Sequence, residues 1–387
     1  MAQMETFEAA APPAAIPKML VVSADFPPRI GGVQRYVHDL VRSLPPGRAA
    51  VLAPRWRGCR EFDDEQGFPV YRYGGTYLAP VSDAAKRVRS LVRETGAELV
   101  LFGHALPLSA LGPGLAEEGI PYATLTHGAE AWMARVPGIH RLLRRALSRA
   151  EVVFAVSRYT ERFVRLALAP EARTALLPPG VDIDRFHPSV DGSVVRKGLG
   201  IEDRPLVVSV SRLVARKGQD VLIRAWPRIQ SRVPGAMLLV VGRGPHEARL
   251  RRMAAALGVA ESVRFVGQVG EEALPAHFAA GDLFAMPTRT RRAGLEVEGF
   301  GIVYLEAAAA GKAVVAGDSG GAAEAVVDGQ TGIVAAGHDT AAVAEAVIGL
   351  LLDEVRTARM AVAGRRRAVA EFSWPRILAR FADALRG

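Results

Sequence analysis

The sequence predicts an α/β protein of two doubly wound domains that face each other across a cleft. Three observations predict it. Short apolar, β-rich runs alternate with Ala/Leu/Arg-rich stretches of helical pattern along nearly the whole chain, as in a parallel sheet with helices on both faces. The alternation stops in a Pro-, Gly- and Asp-rich stretch at 178–200 and then restarts. The length of 387 residues suits two domains of about 100–200 residues each.

The elements follow in order. Residues 1–18 are Ala/Pro-rich, carry Glu5 and Glu8, and lack a basic start and an apolar h-region. A disordered tail is expected there, not a signal peptide. The first strand is expected at 19–24, closed by Pro27-Pro28, with a turn at Gly31-Gly32 and a helix over 33–44. Further strands are expected at 99–102, 123–126 and 152–156. The second series has strands at 206–210, 237–241, 263–266, 283–286, 313–316 and 333–335, with helices such as 218–229 and 246–257 between them. The first domain is expected over 19–190 and the second over 191–372, with the boundary inside the 185–200 linker. A last amphipathic stretch, within 373–387, is expected to cross back to the first domain. Open α/β sheets bind ligands at the carboxyl ends of their strands, so the chemistry should lie there.

Composition narrows the classes. The single cysteine, Cys59, excludes an internal disulfide, and a reducing, cytoplasmic compartment is expected. Cys59 reads as a loop residue without a role. No apolar run reaches the length needed to span a bilayer. The net charge of +9 comes from 49 basic residues, mostly Arg. It favours an anionic partner without choosing among phosphorylated ligand, membrane surface and nucleic acid. Arg141, Arg144, Arg145 and Arg149 share one helical face, as in helices that lie on anionic lipid. Trp132 and Met133 just upstream are expected to add apolar insertion.

Four constellations carry chemistry. Residues 298–306 run Glu-Gly-Phe-Gly-Ile-Val-Tyr-Leu-Glu. Gly299 and Gly301 let backbone approach a ligand, and the helix that starts near Gly301 offers free N–H groups to an anion. Glu298 lies before the helix and Glu306 within it, so two carboxylates can take the hydroxyls of a sugar and of a ribose with a diphosphate between them. Directly after the strand at 206–210 comes Ser211-Arg-Leu-Val-Ala-Arg-Lys-Gly218. Its cations stand where a leaving diphosphate gathers negative charge, and Arg212 and Lys217 are the chosen pair. Gly31 and Gly32 sit in the first strand-to-helix turn, where backbone can meet a phosphate or a sugar. His127, in Thr126-His-Gly-Ala-Glu130, ends a strand and points into the cleft.

Other signals point elsewhere and weakly. Gly242-Arg-Gly244-Pro lacks the third glycine of a dinucleotide motif. Asp182-Ile-Asp184 mimics a metal-binding pair but lies in the linker. No Walker A pattern and no His-rich metal spacing is present.

Taken together, these motifs resemble the retaining GT-B glycosyltransferases of family 4, over residues 19–385. The E-x7-E pair, the S-R-L-x-x-R-K-G loop and the P-x-G-V-D-x-x-x-F linker at 178–186 carry the resemblance, in the same order. Asp25-Phe-Pro-Pro-Arg-Ile-Gly-Gly32 and Phe284-Ala-Met-Pro-Thr-Arg-Thr290 look like the phosphatidylinositol monomannoside mannosyltransferases of actinobacteria. The resemblance implies two Rossmann-like domains and transfer of mannose from GDP-mannose to the inositol ring of a membrane glycolipid. It implies front-face attack with retention, the leaving diphosphate taking the acceptor's proton, and no metal cofactor. It assigns the sugar to Glu298 and His127, the ribose to Glu306 and the diphosphate to Arg212, Lys217, Gly31 and Gly32. Gly299, Phe300, Gly301 and Ile302 complete the donor site, and Asp25 holds the acceptor hydroxyl. The expected partners are a nucleotide sugar, an inositol phospholipid and the anionic inner face of a membrane, with no nucleic acid. Arg292-Ala293 replaces a stretch that is often glycine-rich in these relatives, beside the sugar site. A UDP-linked donor with a polysaccharide, cell-wall or secondary-metabolite acceptor is the alternative.

Overall fold

The computed structural model describes residues 16–386 apart from Glu202. Of the expected tail, residues 1–15 lie outside the described residues. Ile16, at its end, is buried in the first core, and the Lys18 carbonyl accepts from the N–H of Glu98. Residues 16–18 are thus part of the packed domain, because Ile16 finds an apolar slot.

Thirteen strands are described: β1 Met19–Val22, β2 Ala49–Pro54, β3 Val70–Tyr73, β4 Leu99–Phe102, β5 Tyr122–Thr126, β6 Val153–Ala155, β7 Thr174–Leu176, β8 Leu206–Val210, β9 Met237–Val241, β10 Val263–Gly267, β11 Leu283–Met286, β12 Ala313–Gly317 and β13 Gly332–Ala335. They form two sheets, of order β3-β2-β1-β4-β5-β6-β7 and β10-β9-β8-β11-β12-β13. Every pairing is parallel. The central strands are short apolar runs buried on both faces, as parallel strands between helix layers must be. The sequence reading missed β2, β3 and β7. β2 is Ala-rich, while β3 and β7 are half-buried edge strands of four and three residues, with no continuous apolar run. Cys59 opens the short helix Cys59–Asp64 instead of lying in a loop.

Each sheet has a core on each face. The chain leaves the first core at Leu177 and enters the second at Val181. The crossing is therefore Pro178-Pro179-Gly180, upstream of the expected 185–200 boundary. The rest of the linker packs on the second domain, where Phe186 meets Phe278 edge to face. The helix Trp374–Arg386 returns to the first domain. Ile377 and Phe381 are fully buried there, and the Phe381 ring lies 5.0 Å from Phe154. The outgoing and returning strands of chain run side by side. Val181 N–H donates to the Phe372 carbonyl at 2.8 Å, and a Cβ on Gly180 would meet the Trp374 ring at 2.4 Å. Both inter-domain connections thus pass through one narrow hinge.

Candidate active site

The carboxyl ends of the central strands converge on one cleft. On the second domain, the loop after β8 holds Arg212, Arg216 and Lys217. It can fold there because Gly242 and Gly244 lack side chains: Cβ atoms on them would meet the carbonyl oxygens of Ser211 and Leu213 at 2.0 and 2.3 Å. Those two glycines thus make room for a basic loop, and the dinucleotide resemblance has a packing cause. Asp220 ties the loop's helix to the loop after β11 through Arg289, at 2.8 Å.

Lys217 Nζ lies 2.8 Å from Glu298 Oε2, and Arg216 Nε lies 3.8 Å from the same oxygen. Arg212, the other cation chosen from the sequence, is exposed, and no ion pair engages it among the described residues. Arg216 is the loop residue that sequence reasoning passed over. Glu298 is nearly buried, and its backbone is pinned by the loop after β12: its N–H donates to Ser319 Oγ at 3.2 Å, and its carbonyl accepts from Gly321 N–H at 3.0 Å.

The helix Ile302–Ala309 begins at Gly301, whose φ of 93° suits glycine and whose missing Cβ leaves room for the Tyr304 ring. Phe300 turns its ring into the core, 5.6 Å from Phe372, so it offers a ligand only backbone. Ile302 packs against the first domain's core. Glu306 is 1% exposed. Its carboxylate lies 2.5 Å from Arg35 Nη2, a residue of the opposite domain that the sequence did not single out. Burial raises the Glu306 pKa, and Arg35 opposes that rise.

On the first domain, Asp25 follows β1, His104 follows β4 and His127 follows β5. Asp25 Oδ1 accepts from Gln34 Nε2 at 2.7 Å and from Arg29 Nη1 at 3.0 Å, and His104 Nε2 approaches Oδ2 at 3.1 Å. The His104 contact, foremost, holds the Asp25 carboxyl below its usual range against burial. His127 shares a 2.7 Å hydrogen bond between Nε2 and the Gly103 carbonyl, which requires the proton on Nε2. Burial first, then the neighbouring His104, pushes its pKa down to about 3. Glu130 accepts from the backbone N–H groups of His127 and Gly128 and so fixes the turn. Gly31 caps the helix Gly32–Ser43, and its missing Cβ leaves space for Gln34 on the way to Asp25. Gly32 faces open space.

The cleft is closed. A Cβ on Gly299 would meet the His127 carbonyl oxygen at 2.2 Å, so the E-x7-E element touches the turn after β5. Glu324, beyond β12, accepts from the backbone N–H groups of Arg158 and Tyr159 across the domains, at 2.8 Å each. Sequence reasoning missed Arg35, Gln34, His104 and Glu324. His104 stands at a strand's carboxyl end, the rule that found His127. For Arg35 and Glu324 no sequence signal exists, because their roles depend on how the domains meet, and Gln34 is an ordinary helix residue whose bond to Asp25 depends on the turn between them. Asp182, half of the metal-like pair, instead accepts from the Arg185 N–H at 3.0 Å and closes the linker turn. Among the described residues, no three His, Cys, Asp or Glu side chains gather as metal ligands would.

Such a cleft suits a nucleoside diphosphate sugar. It has cations and a helix start for the diphosphate, two carboxylates for hydroxyls, and an Asp-His-His group facing them. Comparison with known proteins agrees. Residues 193–367 match the family model for glycosyl transferases group 1, and residues 30–185 match that for glycosyltransferase family 4. The chain is 47% identical to a GDP-mannose-dependent alpha-(1-6)-phosphatidylinositol monomannoside mannosyltransferase of Mycolicibacterium smegmatis, over 95% of this chain and 98% of that one. It is 40% identical to the monoacylated-acceptor counterpart of Corynebacterium glutamicum, over 92% and 94%. Among solved structures, Anabaena HepE in complex with UDP superposes with a TM-score of 0.83 at 23% identity, over 95% of this chain and 99% of that one. Sucrose-phosphate synthase of Thermosynechococcus elongatus gives 0.78 at 22%, over 95% and 98%. The chain belongs to the family 4 glycosyltransferases and is an enzyme of the two-domain GT-B fold.

Proposed function

We propose that the chain transfers mannose from GDP-mannose to the inositol ring of a phosphatidylinositol mannoside, with retention at the anomeric carbon. The observation that carries the reading is the near-full-length 47% identity to a relative of that name. The cleft supplies groups that fit it. Glu298 receives the mannose hydroxyls and Glu306 the ribose. Lys217 and Arg216, with Arg212 swung in from solvent, neutralise the diphosphate as its bond to the sugar breaks. Gly31, Gly32 and the backbone of 299–302 border the phosphates and the sugar. Asp25, already charged and held by Gln34, Arg29 and His104, accepts a hydrogen bond from the acceptor hydroxyl. That hydroxyl attacks the anomeric carbon on the face the diphosphate leaves, and its proton passes to the departing phosphate oxygen. His127, neutral, contacts the sugar without giving up a proton. In this reading the cations do the work for which other transferases use a metal.

The test is transfer from GDP-mannose, without added metal, to phosphatidylinositol monomannoside in vesicles, read by mass spectrometry. Product from GDP-mannose supports the reading. Transfer from a UDP-sugar alone moves the chain to the alternative donor.

The lipid acceptor requires the protein to reach a membrane surface. No helix among the described residues is long and apolar enough to cross one. The helix Pro137–Leu147 buries Leu143, Ala146 and Leu147 and exposes Arg141, Arg144 and Arg145. Leu142, 58% exposed, and Val136 stand beside them. Trp132 and Met133 are half-buried, so Leu142 and Val136 replace them as the apolar contribution. This face is assigned to anionic lipid at the inner membrane surface. The affinity for phosphatidylinositol vesicles, read by flotation, should fall about 30-fold or more in the Arg144→Glu/Arg145→Glu variant, since each of the two cations lost from an anionic surface contributes about 1 kcal/mol. Unchanged flotation would remove this surface from the reading.

A further inference from the structure

Glu306 is assigned above to the ribose, yet it is 1% exposed with Arg35 on it, at 2.5 Å. Among the described residues, no other cation lies within ion-pair distance of this carboxylate. The contact is one of charge: neither oxygen accepts a well-aligned hydrogen bond from protein. The lone pairs that would receive ribose hydroxyls are therefore open in direction but covered by a guanidinium.

Arg35 reaches Glu306 from the opposite domain. It lies on the helix Gly32–Ser43, and its N–H donates to the Gly31 carbonyl at 3.0 Å, in the turn assigned above to the phosphates. Its Nε lies 3.5 Å from Asp39 on the same helix, and its Nη2 goes to Glu306. One edge of the guanidinium is thus anchored at home while the other spans the cleft. A neutral hydroxyl cannot displace a guanidinium from a buried carboxylate unless that cation finds another anion. A nucleoside diphosphate carries both requirements in one molecule. Its ribose supplies the hydroxyls, and its phosphates supply the anion.

We propose that Arg35 is a donor-binding residue that pairs with Glu306, yields it to the ribose when a nucleoside diphosphate enters, and takes the diphosphate as its new counter-ion. The inference rests on the reading of 298–306 as the donor site. It makes Arg35 a competitor of the nucleoside and a partner of the phosphates, so its removal acts with opposite sign on the two.

Isothermal titration of the full chain separates these. Guanosine and GDP are titrated into wild type, Arg35→Gln and Arg35→Lys, with uridine and UDP as the parallel pair. In Arg35→Gln, GDP affinity should fall about tenfold or more, the scale of one lost charge-assisted contact. Guanosine should bind as tightly as to wild type, or more tightly, which also shows the variant folded. Arg35→Lys should restore part of the GDP affinity. Equal weakening of guanosine and GDP, or unchanged GDP affinity in Arg35→Gln, overturns the proposal. If wild type prefers UDP, the donor assignment above fails while the same ratio, taken with uridine and UDP, still decides the role of Arg35. Wild type that binds no nucleoside diphosphate overturns both.

Discussion

His127 shows how a fold sets the state of one side chain. Its ring is fixed by the Gly103 carbonyl and by edge contacts with Tyr36 and His104. With its pKa pushed to about 3 from 6.5, mainly by burial, it stays neutral wherever the enzyme works. In the unfolded chain the same ring titrates near its ordinary value. Between these two values the unfolded state binds more protons, so stability rises with pH in that window. The contribution of neutral His127 is complete above about pH 6.5 and is lost as pH falls toward 3. Taking wild type from pH 7 to pH 5 should therefore cost roughly 1–2 kcal/mol more than it costs His127→Gln, the ring's partial exposure tempering the figure. Melting curves of both proteins at the two pH values check this, and equal losses would show that His127 stays uncoupled from folding. His127, Glu298 and Glu306 were legible in the sequence because strand ends and glycine-flanked helix starts are local features. Arg35 was not: its partner Glu306 belongs to the other domain, and no local pattern encodes a contact made only when two domains close.

At the scale of elements, the basic loop after β8 is held by absences. Gly218 has φ of 80°, and a Cβ there would lie 1.9 Å from the Pro287 carbonyl oxygen. The loop after β11 accepts it closely: Arg289 N–H donates to the Arg216 carbonyl at 2.9 Å. Gly218→Ala should cost about 1–2 kcal/mol for the left-handed conformation alone, and the clash with backbone adds to it. Because the loop carries Arg216 and Lys217, the same change should lower the melting temperature and raise the donor KM together. A variant with wild-type KM would show that the cations hold their places without this packing. No local pattern warns of this contact, since a glycine after Arg-Lys reads equally well as an ordinary helix start. The neighbouring departure was legible in part. Where the resemblance leads to an expectation of glycines, Arg292 and Ala293 adopt φ of 51° and 52°. The chain keeps the left-handed turn without the residue that favours it, and Arg291 and Arg292 clamp it through Glu296, at 3.0 and 3.2 Å.

At the scale of the whole molecule, the two-sheet plan was legible because periodic apolar runs and a Pro/Gly linker are sequence properties. The closure of the cleft was not. Among the contacts between the domains that close it are Arg35 with Glu306, Glu324 with the backbone of Arg158 and Tyr159, and Gly299 against the His127 carbonyl. The first two of these are charge contacts that a small movement can break and remake. The third is steric. At Gly299 the atom in the way is a backbone oxygen at 2.2 Å, with no flexible side chain to give. In Gly299→Ala the domains must therefore stay further apart at the point where the donor sugar would meet the acceptor side. A misplacement of about 1 Å can cost on the order of 100-fold in rate. The variant should accordingly lose about that much in kcat, while GDP binding falls by much less, because Glu306, Arg216 and Lys217 stay together on the second domain and only Arg35 and the Gly31-Gly32 turn move away. Its hinge and cores are untouched, so the melting temperature should hardly change. Small-angle scattering should show wild type more compact than the variant when GDP-mannose is present. Full activity in Gly299→Ala would mean that the reaction runs with the cleft less closed than it stands here, and that Glu298 and His127 need not approach each other this nearly.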